Sequence, residues 1–162
     1  MNLMKTTLLA AALLAVAPLA SAATATTTFQ VRLQLNNACT VAISDLVFPT
    51  STTLAANIDA STTGNVTCTG IGAYAVTFNN GAGTGATTAA RRMSGPSAAT
   101  INYVLATDAA RTVLLGTTGT GTIAGTSTGA AIPFTVFGRV AGGQGAKPVG
   151  AYVDTVTATV TF

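Results

Sequence analysis

Between Thr27 and Leu35 the chain alternates strictly. Phe29, Val31, Leu33 and Leu35 are apolar, and Gln30, Arg32 and Gln34 between them are polar. Period two gives an extended segment one apolar and one wet face, which predicts a half-buried β-strand. Whether it joins its own sheet or a neighbour's is the question that the pattern leaves open. The same period returns further on. Cys39, Val41 and Ile43 alternate with Thr40, Ala42 and Ser44, predicting a strand that ends near Phe48-Pro49. Asn36-Asn37-Ala38 supplies the joint before it, since Asn tolerates left-handed backbone.

Residues 64–69 predict a short strand carrying Cys68. Tyr74, Val76 and Phe78 mark another, and Ile101, Tyr103 and Leu105 the next. Residues 111–115 predict one more, and Ile132, Phe134 and Val136 lead into a further one. The last segment is the most regular. Tyr152, Val156, Ala158, Val160 and Phe162 share one face of a strand, and Val153, Thr155, Thr157, Thr159 and Thr161 the other. A Thr-rich outer face suits an antiparallel sheet buried on one side. Residues 51–63, 79–90 and 141–150 read as loops, and 116–129 as an extended hairpin of weak pattern. Beyond residue 22 there is no long helical pattern with caps. Short strands between Gly/Thr/Asn turns predict an all-β sandwich.

Composition changes this picture at three points. Residues 1–22 carry Lys5, an apolar run from Leu8 to Leu19 and the small-residue site Ala20-Ser21-Ala22, the layout of a cleaved export signal. That run is too short to span a bilayer as a helix. The chain beyond residue 22 is long enough for one two-layer core. In an exported chain the two cysteines, Cys39 and Cys68, read as one disulfide. Outside the signal, six basic side chains face four aspartates. Such a small, scattered excess excludes a nucleic-acid footprint. The one basic pair, Arg91-Arg92, reads as a solvated turn.

The chain holds no His, Glu or Trp. Without His there is no Ser-His or Cys-His nucleophile and no imidazole metal site. Asp45, Asp59, Asp108 and Asp154 are far apart in sequence and nothing marks them as an acid/base pair. Lys147 sits in a Gly-rich loop, a poor setting for a desolvated catalytic lysine. No catalytic residue, metal site or cofactor is assigned, and no small-molecule substrate is expected.

Several short motifs, taken in order, carry a resemblance. Cys39-Thr40-Val41 follows an alternating strand; then come Val66-Thr67-Cys68, Tyr103 to Arg111-Thr112, Phe137-Gly138, Gly150-x-Tyr152-x-Asp154 and Val160-x-Phe162. The chain resembles the spore coat U family, which includes major pilins of archaic chaperone–usher pili. The resemblance implies an incomplete immunoglobulin-like antiparallel sandwich (residues 39–162), preceded by a donor-strand segment (residues 23–38). It implies that Phe29, Val31, Leu33 and Leu35 fill the groove of a neighbouring identical or related pilin, and that Cys39–Cys68 is the family's disulfide. Tyr152, Val156, Ala158, Val160 and Phe162 would border the groove and face a periplasmic chaperone. An outer-membrane usher would then assemble the subunits into a cell-surface fimbria serving attachment and biofilm formation. The alternative is a secreted adhesin or coat-like protein whose first strand completes its own domain. The chain departs from the family in its Gly-, Ala- and Thr-rich loops and in Phe48-Pro49, where many members have Phe-Gly.

Overall fold

The computed structural model of the protein describes residues 21–162. The export signal expected over residues 1–22 lies outside them, apart from Ser21 and Ala22. The chain divides into two units, Met1–Gln34 and Leu35–Phe162.

Among the described residues of the first unit no strand is formed. Phe29, Val31 and Leu33 are 83%, 84% and 91% exposed, and Leu35, which opens the second unit, 86%. The alternation is present, and its apolar side chains are exposed.

The second unit holds eight strands: β1 (Cys39–Ile43), β2 (Ile58–Cys68), β3 (Ile71–Phe78), β4 (Arg91–Ser94), β5 (Thr100–Ala106), β6 (Ile123–Thr128), β7 (Ile132–Val140) and β8 (Ala158–Thr161). They form two sheets, in the orders β1-β2-β7-β5-β4 and β6-β3-β8. Every ladder is antiparallel. The core lies between the sheets. Val66 and Cys68 come from β2, Tyr74, Val76 and Phe78 from β3, Ile101, Tyr103 and Leu105 from β5, and Val136 and Val140 from β7. In each strand these are alternate residues, so the period-two pattern decides which side chains face inward. The result is an immunoglobulin-like sandwich.

Cys39 lies directly opposite Cys68 in the β1–β2 ladder, and the two are bonded. Closing a loop of roughly 30 residues stabilises the fold by about 3–4 kcal/mol in the chain-entropy model.

Several expected elements differ. β2 starts at Ile58, inside the segment expected to be a loop over 51–63. Ile58, Ala60 and Thr62 are its inward positions, and a threonine there masks the apolar period. Thr62 Oγ1 finds its acceptor in the Ser44 carbonyl at 3.0 Å. The strand expected over 111–115 is instead a turn and a single bridge between Ala106 and Leu114. Asp108 wins the competition for that backbone, its carboxylate accepting from the amides of Thr112 (3.0 Å) and Val113 (2.8 Å). The hairpin expected over 116–129 is a 3₁₀ turn at Gly119–Gly121 followed by β6.

Arg91-Arg92 is no solvated turn. Both residues lie in β4, and Arg91 is fully buried. Its Nη2 donates to the carbonyls of Asn79 (2.9 Å) and Leu115 (2.7 Å), its Nε also to Asn79, and its Nη1 to Thr88 (3.2 Å). One guanidinium thus ties three loop carbonyls together. Burial lowers its pKa from the ordinary value, and nearby Tyr103 and Asp154 oppose that shift.

Candidate strand-binding groove

Along one side the two sheets do not close. Past Ile43 the period breaks at Ser44 and Asp45, both exposed, and resumes with Leu46 and Phe48 turned inward while Val47 and Pro49 stay exposed. Across from it, Tyr152, Asp154, Val156 and Ala158 turn inward and Ala151, Val153, Thr155 and Thr157 outward. Between these two lips lies a groove of about 860 Å³. Its floor is apolar: Met93, Ile101, Tyr103, Leu105, Val136 and Val140. Phe48 packs edge-on against Tyr103, with ring centroids 6.4 Å apart.

The lips carry the pattern of strands with few of their hydrogen bonds. On the first, the last backbone bond runs from the Ser44 amide to the Thr63 carbonyl at 3.1 Å. Among the described residues, 45–50 make none. On the second lip, Val153 exchanges bonds with Ser94, and the Thr157 carbonyl accepts from Asn79. β8 pairs on one side only, with β3. The strand expected over residues 152–162 is therefore a ladder only at Ala158–Thr161, although its alternation runs through the whole segment. Residues 45–50 thus keep backbone donors and acceptors without backbone partners among the described residues, the property of an unprotected sheet edge.

Specific contacts hold this shape. Asp154 anchors the second lip: its Oδ1 accepts from the Ala82 amide and its Oδ2 from the Tyr103 hydroxyl, each at 2.7 Å. Burial, then the Asp154 hydrogen bond, raises the pKa of Tyr103, so the phenol stays a donor. Gly81 permits this approach: its φ is +88°, and a Cβ there would stand 2.1 Å from Asp154 Oδ2. On the first lip, Leu46 and Phe48 fold down over Gly138 of β7, where a Cβ would touch both at 3.0 Å.

Tyr152, Val156 and Ala158 lie along this groove. Val160 is half-buried in β8 against the core, and Phe162 is 56% exposed. Cys39 and Cys68 form their bond at the head of β1. The pattern predicts a strand as far as Phe48-Pro49 but does not assign this lip or the floor to a groove; the ladder of β1 ends at Ile43. The alternation of Leu46 and Phe48, resuming after Ser44-Asp45, was the available signal. Among the described residues no three His, Cys, Asp or Glu side chains gather as a metal site.

The geometry defines a class: an immunoglobulin-like sandwich with an apolar groove open between its sheets. The chain belongs to the spore coat protein U domain family, whose model matches residues 25–159. No curated protein sequence matches it. Among solved structures it is similar to a chain of the CsuC–CsuE chaperone–tip adhesion subunit pre-assembly complex from the archaic chaperone–usher Csu pili of Acinetobacter baumannii. The TM-score is 0.54 and the identity 20%, over 78% of this chain and 40% of that one. The present chain thus spans less than half of that relative's length, and at this identity the likeness is one of fold.

Proposed function

We propose that the protein is a structural, non-enzymatic subunit of a pilus-type surface fibre, assembled by strand donation. Phe29, Val31, Leu33 and Leu35 of one copy fill the groove of the next. A periplasmic chaperone shields the groove beforehand, and an outer-membrane usher is where the exchange takes place. The fibre supports surface attachment and biofilm formation. The observation that carries this reading is the apolar groove, one lip of which (residues 45–50) makes no backbone bond among the described residues, in a chain that also holds an exposed segment of matching period. The family and the pilus context of the similar structure support it.

The energetics fit. Burying four such side chains yields roughly 6–12 kcal/mol at about 1.5–3 each, as much as the whole stability of a typical domain, about 5–15 kcal/mol. Strand addition joins main-chain hydrogen bonds to alternate side-chain pockets. Because donor and acceptor are different surfaces, the contact is heterologous and propagates as an open filament.

Val31→Asp tests the proposal. A carboxylate cannot enter the apolar groove unpaired, so the ladder of detergent-resistant oligomers seen before boiling should vanish. The substitution leaves the variant's own groove intact, so mixed with wild type the variant should cap and shorten fibres. A full-length chain that is a stable monomer, with residues 29–35 in its own sheet, overturns the reading.

A further inference from the structure

The groove explains the apolar face of residues 29–35 but not its wet face. Arg32 is the only charged residue between Ser21 and Ala38. Among the described residues its guanidinium donates to Gln30 Oε1 alone, two residues away in the same exposed segment. It meets no carboxylate among the described residues. The aspartates show a matching asymmetry. Asp59 is held by Arg139 at 2.7 and 2.8 Å and by Arg111 at 3.3 Å. Asp108 caps its own turn, and Asp154 is taken by Ala82 and Tyr103. Asp45 alone has no hydrogen bond or ion pair among the described residues. It is exposed, and it stands on the first lip of the groove.

Building on the strand-donation reading, we infer that Arg32 of the donating copy pairs with Asp45 of the accepting copy and sets the register of the inserted strand. Topology makes this geometry consistent. Strand direction alternates across β1, β2, β7, β5 and β4 to the bridge at Val153, so the two lips run in opposite senses. A strand antiparallel to the second lip, as every ladder here is, runs parallel to the first. Residues level with each other then point to the same side. With Arg32 level with Asp45, both side chains face solvent. Leu33 then falls level with Leu46 and Leu35 with Phe48, the two inward residues of that lip. One register satisfies charge and apolar packing together. A slip by one residue would turn the apolar face outward; a slip by two keeps that face but parts the charges. The pair is thus a register-determining contact for a second copy of this chain.

The test uses the purified Val31→Asp chain, which keeps its groove but cannot donate, as acceptor. Synthetic peptides of residues 23–38 serve as donors. At low salt the wild-type peptide should bind. Asp45→Arg in the acceptor, or Arg32→Asp in the peptide, should each weaken binding by about fivefold. Combining the two reversals should restore it, and molar salt should level all four pairings. Asp45→Asn should weaken binding in the same direction but less, which settles the matter even if the reversed acceptor misfolds. Equal binding of all four pairings at low salt overturns the ion pair while leaving strand donation standing. Failure of the wild-type peptide to bind any acceptor overturns strand donation itself.

Discussion

The closed interior and the open groove are built from the same pattern, yet they differ in what completes them. In the interior, Val66 of β2 and Val76 of β3 are fully buried, and their strands are bonded on both edges. At the groove, Leu46, Phe48, Tyr152 and Val156 alternate just as regularly but remain half-buried, and residues 45–50 make no backbone bond among the described residues. Alternation therefore records which side chains want burial. It does not record whether the chain itself supplies the partner. The interior is finished within one copy, whereas the groove between the lips stays open.

Substitutions should separate the two regions, and the largest effects belong to the interior. Removing the disulfide by Cys39→Ala with Cys68→Ala should lower stability by about 3–4 kcal/mol. Denaturant titration checks this, and an unchanged midpoint would refute it. Arg91→Met strips donors from the carbonyls of Asn79, Thr88 and Leu115 and should cost about 3 kcal/mol; a loss below about 1 kcal/mol would mean that water replaces the guanidinium. Val66→Ala should cost about 2 kcal/mol. Val47→Ala on the exposed lip should change the isolated chain by less than about 0.5 kcal/mol. Equal losses at the two valines would erase the contrast between interior and groove.

The smallest effect is on pH. The amides of Val113 and Thr112 hold the Asp108 carboxyl down to about 2 from 3.8. A carboxylate with a depressed folded pKa contributes stability above its unfolded pKa and loses it as pH falls through the folded value. The wild-type chain should thus lose this contribution between roughly pH 4 and 2. Asp108→Ala should flatten that part of the acid-unfolding curve. The part due to Asp59, lowered chiefly by its Arg139 hydrogen bond, should persist. An identical acid profile would show that the turn does not need its cap.

Much of this was legible in the sequence, for reasons that particular residues show. Tyr74, Val76 and Phe78 announce β3 because their inward positions are apolar without exception. β2 hides its first half because Thr62, a polar residue, occupies an inward position and is satisfied by a carbonyl of the neighbouring segment. Arg91 was illegible for a different reason: its partners are loop carbonyls, which carry no sequence signature, and no acidic residue nearby in sequence advertises a buried guanidinium. The groove was half legible. The second lip showed itself through Tyr152, Val156 and Ala158. The first was obscured where Ser44 and Asp45, both exposed, interrupt the period. Gly138 lies inside β7, and only the fold shows it as the space that Leu46 and Phe48 cover.

The position of the disulfide has a mechanical consequence. Cys39 is the first residue of β1, so it stands where the segment carrying Phe29 to Leu35 joins the sandwich. The junction is latched as well, by Thr69 N to Ala38 O at 2.9 Å and Gly70 N to Asn37 Oδ1 at 2.9 Å. In a fibre built as proposed, tension from one subunit enters the next at this joint. Without the bond, load would peel β1 from β2 one residue pair at a time. With it, force crosses at once from Cys39 to Cys68 and into β2, which lies between β1 and β7. A covalent bond thus sits at the point where the pull would arrive, and the hydrogen bonds behind it share the load in parallel.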